Sequence, residues 1–251
     1  WGYINKDGQT VIAPTYKQML SDSDGVESSF SEGLAMVEGD DTSVPPKRGF
    51  MDKTGKLVIP ARFTYAYPFS EGLAAVTESE SGDSGWGYID KSGNWVIAPQ
   101  FDWATPFKNG IAAINRKKNC GYIDKSGKYQ IHLPVPTDQH DCSSIWGEFN
   151  DGLARNLFDT KYGFIDQSGK VAISPQFDFT DGFSEGLAAV RIGKEWGYID
   201  TKGKLVIQLE EFSQAHPFHN GLAEIVTWNG RWGYIDKTGE YVWKPTLQGH
   251  Q

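Results

Sequence analysis

Two histidines stand three residues apart in His216-Pro217-Phe218-His219, a spacing that serves a metal ion when it falls on a helix. The segment is equivalent to Tyr67-Pro68-Phe69-Ser70, so Phe218 continues a recurrent buried Phe and the histidines read as solvent-facing substitutions. His140-Asp141-Cys142 holds the residue types of a nucleophilic site, but such triads assemble from distant positions and adjacency means little. A carboxylate recurs as Asp52, Asp90, Asp124, Asp166, Asp200 and Asp236, each followed by Lys or another non-acidic residue. A calcium loop would concentrate several oxygen ligands within about a dozen residues, so a turn role suffices for these. The Glu of Phe-Ser-Glu-Gly (Glu32, Glu71, Glu185) is periodic too, unlike the paired carboxylates of a glycosidase, and reads as turn polarity. No phosphate loop, dinucleotide fingerprint, nucleophile elbow or zinc-protease motif occurs. The expectation is a non-enzymatic protein with no catalytic residue, metal or cofactor.

Tryptophan is the residue type left over. Trp95, Trp103, Trp146, Trp228 and Trp243 break the pattern of the rest, Trp146 by standing where other copies hold Ala66, Ala104 or Ala215, and Trp228 by lying beside a turn at Asn229-Gly230. Exposed Trp anchors protein partners or stacks on sugars. Trp103, Trp146, Trp228 and Trp243 are therefore candidate ligand contacts, with packing on the flank of a repeat as the alternative for each. Cys120 and Cys142 are the two cysteines, and both fall in one irregular copy. They are either free thiols or a disulfide worth about 3 kcal/mol, which would imply an oxidising compartment.

The elements that must position these residues are repeats. Gly-aromatic pairs begin at Gly2, Gly49, Gly87, Gly121, Gly163, Gly197 and Gly233, and a second glycine follows six residues later in all seven copies. Asp90-Lys91-Ser92-Gly93 offers an acidic turn opener and a glycine for positive φ, the chemistry of a hairpin loop. Tyr88-Ile89 and Trp95-Val96-Ile97 flank it as strands, and Pro14, Pro60, Pro99 and Pro175 are expected to stop the second strand. A second motif, as in Phe69-Ser70-Glu71-Gly72-Leu73-Ala74-Ala75-Val76, occurs six times and adds a third strand, apolar on both faces and so covered on both. The glycine before the aromatic is expected to let another backbone or ring approach closely, and Trp1, Trp86, Trp196 and Trp232 to pack between repeats. Links from turn glycine to second-motif glycine run 25, 17, 17, 25, 17 and 18 residues, so residues 15–29 and 133–147 are insertions and favoured places for a binding face.

The coupled pattern Trp-Gly-Tyr-Ile-Asp-Lys-Ser-Gly, Val-Ile-x-Pro and Phe-Ser-Glu-Gly-Leu-Ala resembles the bacterial WG repeat over essentially the whole chain. The resemblance implies a β-rich tandem array and brings no catalytic residues with it. The reading is an all-β fold, a single domain over 1–251 with hairpin units near 1–14, 48–60, 86–99, 120–133, 162–175, 196–209 and 232–245. Three strands and a turn fit each unit. A propeller-like ring is narrowly favoured over an open β-superhelix. If Cys120 and Cys142 are paired, the bacterial periplasm or cell surface is favoured.

Across 251 residues, 39% are hydrophobic and 29 are glycine, enough apolar material for a core and rich in turns. A net charge of −8 argues against nucleic acid, which needs a basic face. No apolar run approaches the ~20 residues of a membrane span. The chain opens inside a motif at Trp1, which leaves room for a targeting segment or a further domain before it. The expected partner is a protein or peptide, with a glycan of the cell envelope as the alternative.

Overall fold

A computed structural model describes residues 2–13, 29–39, 46–81, 84–117, 119–133, 148–210 and 212–246. Among these residues every regular element is a strand. Each hairpin forms for a local reason. Asp90 Oδ1 accepts the backbone N–H of Ser92 and of Asn94, both at 2.9 Å, while the Gly93 N–H returns to the Asp90 carbonyl. Asp52, Asp124, Asp166, Asp200 and Asp236 repeat the arrangement, and Asn5 substitutes in the first copy. The carboxylate mimics a backbone turn and replaces water for two N–H groups. The N–H of Asn94 leads the causes that hold the Asp90 carboxyl below its usual range.

The chain divides into two compact units, Trp1–His132 and Leu133–Gln251. In the first, β1 (Tyr3–Ile4) pairs β2 (Thr10–Ile12); β3 (Leu34–Glu38), β4 (Arg48–Asp52) and β5 (Leu57–Phe63) form a second sheet. A third comprises β6 (Tyr65–Ala66), β7 (Ala74–Thr77), β8 (Trp86–Ile89) and β9 (Trp95–Phe101). A fourth comprises β10 (Trp103–Ala104), β11 (Ile111–Arg116), β12 (Asn119–Asp124) and β13 (Tyr129–Leu133). In the second unit, β14 (Leu153–Phe158), β15 (Lys161–Asp166) and β16 (Val171–Phe177) make one sheet. The next is β17 (Phe179–Ser184), β18 (Leu187–Ile192), β19 (Glu195–Asp200) and β20 (Leu205–Leu209), and the last is β21 (Phe212–Ala215), β22 (Leu222–Thr227), β23 (Trp232–Asp236) and β24 (Tyr241–Thr246). Each sheet is an antiparallel meander in sequence order. Four of the seven carry a fourth strand that the three-strand expectation lacked, two to six residues long. It arises just after the hairpin, where the chain leaves one sheet at Phe101 and enters the next at Trp103.

The expectation that proline stops the second strand is corrected. β5, β9 and β16 run through Pro60, Pro99 and Pro175 to a buried Phe two or three residues on (Phe63, Phe101, Phe177); Pro14 lies outside the described residues. These strands are at sheet edges, and the proline sits in a wide bulge: Tyr88 pairs Ile97 but Trp86 pairs Phe101. An edge bulge leaves the missing N–H harmless. Where Leu209 replaces the proline, the pairing Trp196↔Leu209, Gly197↔Gln208 and Tyr198↔Ile207 runs on in step. The bulge also explains the glycine after Trp. A Cβ on Gly87 would stand 2.6 Å from the Ile97 carbonyl oxygen and 2.9 Å from the Pro99 nitrogen, both backbone atoms.

Successive sheets within each unit are joined by a recurrent set of contacts. In the second motif the residue before glycine has positive φ: Glu32 51°, Glu71 53°, Asn109 55°, Asp151 51°, Glu185 53° and Asn220 52°. With the following glycine also positive, this is a two-residue type I′ hairpin turn. A left-handed Glu costs roughly 1–2 kcal/mol. Its side chain offsets that across the sheet boundary. Glu71 accepts the Gly110 N–H at 3.0 Å and the Lys125 ammonium at 3.0 Å; Glu32 does the same with Gly72 and Lys91, and Glu185 with Gly221 and Lys237. Asp151 accepts the Gly186 N–H at 2.8 Å. The neighbouring serine adds a bond in the same direction, Ser70 Oγ donating to the Phe107 carbonyl at 2.7 Å, with Ser31 to Phe69 and Ser184 to Phe218 alike. The reading of these glutamates as turn polarity missed this role.

Two outcomes are expected. Gly87→Ala, opposed by backbone that cannot yield, should lower stability by about 2–3 kcal/mol in urea unfolding. Gly72→Ala, with open space around its Cβ and φ of 89°, should lose only about 1–2 kcal/mol. Lys237, and then the Gly221 N–H, hold Glu185 below its usual 4.5. A carboxyl depressed in the folded state stabilises it above the unfolded pKa and loses that contribution as pH falls through the folded value. The urea midpoint should therefore hold from pH 7 to about 5 and decline below that, and Glu185→Gln should lower it at pH 7 and flatten the decline.

Candidate functional site

The cores of this protein lie between sheets. Leu73, Ala75, Tyr88, Ile97 and Phe101 pack with Ala104, Phe107, Ala112, Ile114 and Ile123 of the next sheet, and Ala189, Tyr198 and Ile207 with Ala215, Phe218, Ala223, Ile225 and Ile235. Register shows how one row of side chains makes each contact. Ala75, Tyr88 and Ile97 are opposite one another across three strands, as are Ala189, Tyr198 and Ile207, and all six are buried. The phenols are satisfied on the sheet beyond: Tyr88 donates to the Thr105 carbonyl at 2.9 Å and Tyr198 to the His216 carbonyl at 2.8 Å. Burial pushes both phenols far above their usual range. The isoleucine seats the next hairpin, since a Cβ on Gly93 would lie 3.1 Å from Ile59 Cγ2, with Ile97 and Gly127, Ile173 and Gly203, and Ile207 and Gly239 alike.

The sheet β21–β24 rewrites this row. Glu224 stands opposite Tyr234, and Tyr234 opposite Trp243. Glu224 takes the place of the buried Met36, Ala75, Ala113 and Ala189 and of the half-buried Arg155, and Trp243 that of the buried Ile12, Ile59, Ile97, Ile131, Ile173 and Ile207. Trp243 is 51% exposed and stacks on Tyr234 with ring centroids 5.9 Å apart and planes 15° apart. The Tyr234 hydroxyl donates to Glu224 Oε2 at 3.2 Å, and that carboxylate raises the phenol above its usual 10.0. His216 extends the row: its N–H donates to the Glu224 carbonyl at 2.9 Å and its Nε2 stands 3.6 Å from Glu224 Oε1, beyond hydrogen-bond reach. The side chains of His216 and Glu224 are 42% and 27% exposed. β22, β23 and β24 thus present Glu, Tyr and Trp side by side, with His216 just past the end of β21, where β6–β9 and β17–β20 present a dry contact. An open row of aromatic faces beside a carboxylate can bind a ligand.

Of the sequence candidates, the structure puts Trp243 in this row. Trp103 packs, half-buried, against the core between β6–β9 and β10–β13. Trp228 is 61% exposed in the turn joining β22 to β23 and is bonded to none of the row's side chains. Trp146 lies outside the described residues, as do most of the insertions 15–29 and 133–147. Trp95 meets Phe63 edge-on at 6.0 Å, and Trp86 and Trp196 are buried between sheets as expected. Cys120 is buried and disulfide-bonded; the other cysteine of the sequence, Cys142, lies outside the described residues. Phe218 is buried and His219 exposed, whereas His216 is half-buried against Glu224. Glu224 and Tyr234 were not singled out from the sequence. Aligning Leu222-Ala223-Glu224-Ile225 with Leu187-Ala188-Ala189-Val190 was the available signal. Among the described residues no group of three His, Cys, Asp or Glu stands close enough to hold a metal ion, and no helix is long and apolar enough to cross a membrane.

The profile of the WG-containing repeat matches residues 1–41, 49–79, 86–120, 162–196 and 196–227. No curated protein matches the sequence. Among solved structures, BamB from Moraxella catarrhalis, a β-propeller, is 10% identical at a TM-score of 0.50, covering 86% of this chain and 71% of that one. KlHsv2 with its loop 6CD replaced by a Gly-Ser linker is 8% identical at 0.50, covering 86% and 79%. The WD40 β-propeller domain of Doa1 is 9% identical at 0.43, covering 86% and 79%. At such identities the likeness concerns the fold alone, and that to BamB at 0.50 places these small antiparallel sheets among propeller-like architectures.

Removing the carboxylate should free the phenol. In ¹³C-tyrosine NMR, Glu224→Ala is expected to bring the Tyr234 titration down toward 10.0 and leave Tyr88 and Tyr198 protonated. An unmoved Tyr234 would mean the two groups are not bonded.

Proposed function

Because the chain belongs to the WG-repeat family, whose periodic residues are engaged in holding sheet to sheet, we propose that it is a non-enzymatic scaffold that binds a protein or peptide partner. The observation that carries the reading is the exchange of a buried Ala-Tyr-Ile row for Glu224, Tyr234 and Trp243 on one open face. Exposed Tyr and Trp supply contact area at low conformational cost, and such anchors dominate protein interfaces. Support for a non-catalytic role comes from where the perturbed groups are engaged. The lowered carboxyls of Glu71 and Glu185 are held by lysines and backbone N–H groups of the next sheet, and the lowered turn aspartates by groups of their own loops, the Ser168 hydroxyl first for Asp166 and the Asn94 N–H first for Asp90. The raised phenols of Tyr88 and Tyr198 owe their shift to burial first. Perturbed groups gathered in one cleft would have pointed to chemistry; here they are distributed with the repeat.

A photo-crosslinking amino acid at position 243 tests the reading against the same group at position 96, an exposed site on an equivalent strand. In extracts of the source cells, a discrete protein adduct is expected at 243 and none at 96, competed by excess intact chain and not by chain carrying Glu224→Ala. Equal labelling at both positions, or none at 243, would overturn it.

A further inference from the structure

The row on β21–β24 contains a carboxylate that no lysine or arginine among the described residues neutralises. Glu32, Glu71 and Glu185 each meet a lysine at 3.0–3.1 Å. Glu224 is touched by the Tyr234 hydroxyl at 3.2 Å and approached by His216 Nε2 at 3.6 Å, and no lysine or arginine of the described residues pairs with it. Beside it lie two ring faces set 15° from parallel, one of them half in solvent. A flat cation is the chemistry these groups share: a guanidinium stacks on an aromatic face while its fork of N–H donors meets a carboxylate edge-on. An ammonium would satisfy the charge and leave the planar faces unused. The net charge of −8 adds long-range attraction for a basic segment.

We propose that His216, Glu224, Tyr234 and Trp243 form a docking site for an extended protein segment that presents an arginine side chain, its guanidinium on Glu224 and its plane against Tyr234 and Trp243. The proposal rests on the scaffold reading above and names the chemistry of its partner. Glu224 serves as the charged contact, the two rings as the stacking platform, and His216 as a wall that limits the carboxylate to one open side. In β3–β5, β6–β9, β14–β16 and β17–β20 the same row is closed by the next sheet of its own unit, and in β10–β13 Ala113, Tyr122 and Ile131 are buried, so the open row occurs once among these sheets.

The test uses the intact chain and three fluorescein-labelled hexapeptides that differ at one central residue: arginine, lysine or citrulline. By fluorescence anisotropy the arginine peptide is expected to bind saturably with a dissociation constant below roughly 1 mM. Lysine should bind several-fold more weakly, and citrulline, flat but neutral, about tenfold more weakly. Glu224→Ala installs the residue found at this place in three other sheets (Ala75, Ala113 and Ala189) and should fold normally, and it should abolish the difference between arginine and citrulline. Trp243→Ala, at an exposed position, should weaken arginine more than lysine. Equal affinity for citrulline and arginine, or arginine binding untouched by Glu224→Ala, would overturn the assignment. So would displacement of the peptide by cellotetraose, which would give the face to a sugar. Failure of every peptide together with a persistent crosslink at position 243 overturns the guanidinium assignment alone; loss of the crosslink overturns the scaffold reading itself.

Discussion

A strand apolar on both faces cannot stand next to water, and this requirement organises the molecule. Ala74, Ala75, Val76 and Thr77 are all buried, so the sheet that contains them needs a neighbour on each side. The contact is made by a row of one aromatic and one isoleucine beside a residue that is alanine in three sheets, and each aliphatic side chain it covers contributes about 1.5–3 kcal/mol. Small residues let sheets approach, the aromatic reaches the carbonyl of the sheet beyond, and the isoleucine seats the next turn. The Glu–Gly–Lys contacts align sheets already brought together by that burial. Their exposed geometry makes each worth little alone, but they act at the same edge in every join they occupy and so fix register between sheets.

Much of this was legible in the sequence because it is periodic. The Asp-Lys-Ser-Gly turn, the glycine that admits a close backbone and the doubly covered Leu-Ala strand all follow from residue types at fixed offsets. What was misread shares a cause: it depends on the partner strand or sheet. Pro99 looks like a strand terminator until the register shows that the edge of β9 bulges around it. Glu71 looks like turn polarity until the next sheet brings Gly110 and Lys125 to its carboxylate. The short β6, β10 and β21 are two to four residues long and carry no periodic signal, so only pairing reveals them.

The candidate site was half visible. Trp243 stood out as a tryptophan in the wrong place. Glu224 did not, because a single acid in a strand is common and its meaning comes from the alanines at equivalent positions. Trp103 shows the converse, an off-pattern aromatic that turns out to fill a core. Departure from the repeat marks a position as different. Whether the difference faces solvent is decided by the sheet that does or does not cover it.

The handover from one sheet to the next has a consequence for how such chains lengthen. Because the residues after Phe101 cross directly into the following sheet, the stretch that recurs in the gene is offset by one strand from the stretch that forms a sheet. A tandem duplication of the 34 residues from Gly87 to Gly121 would therefore splice into both neighbours at once, wherever its breakpoints fell. Recombination between copies needs no particular phase, and array length becomes a trait that selection can adjust without inventing a new interface.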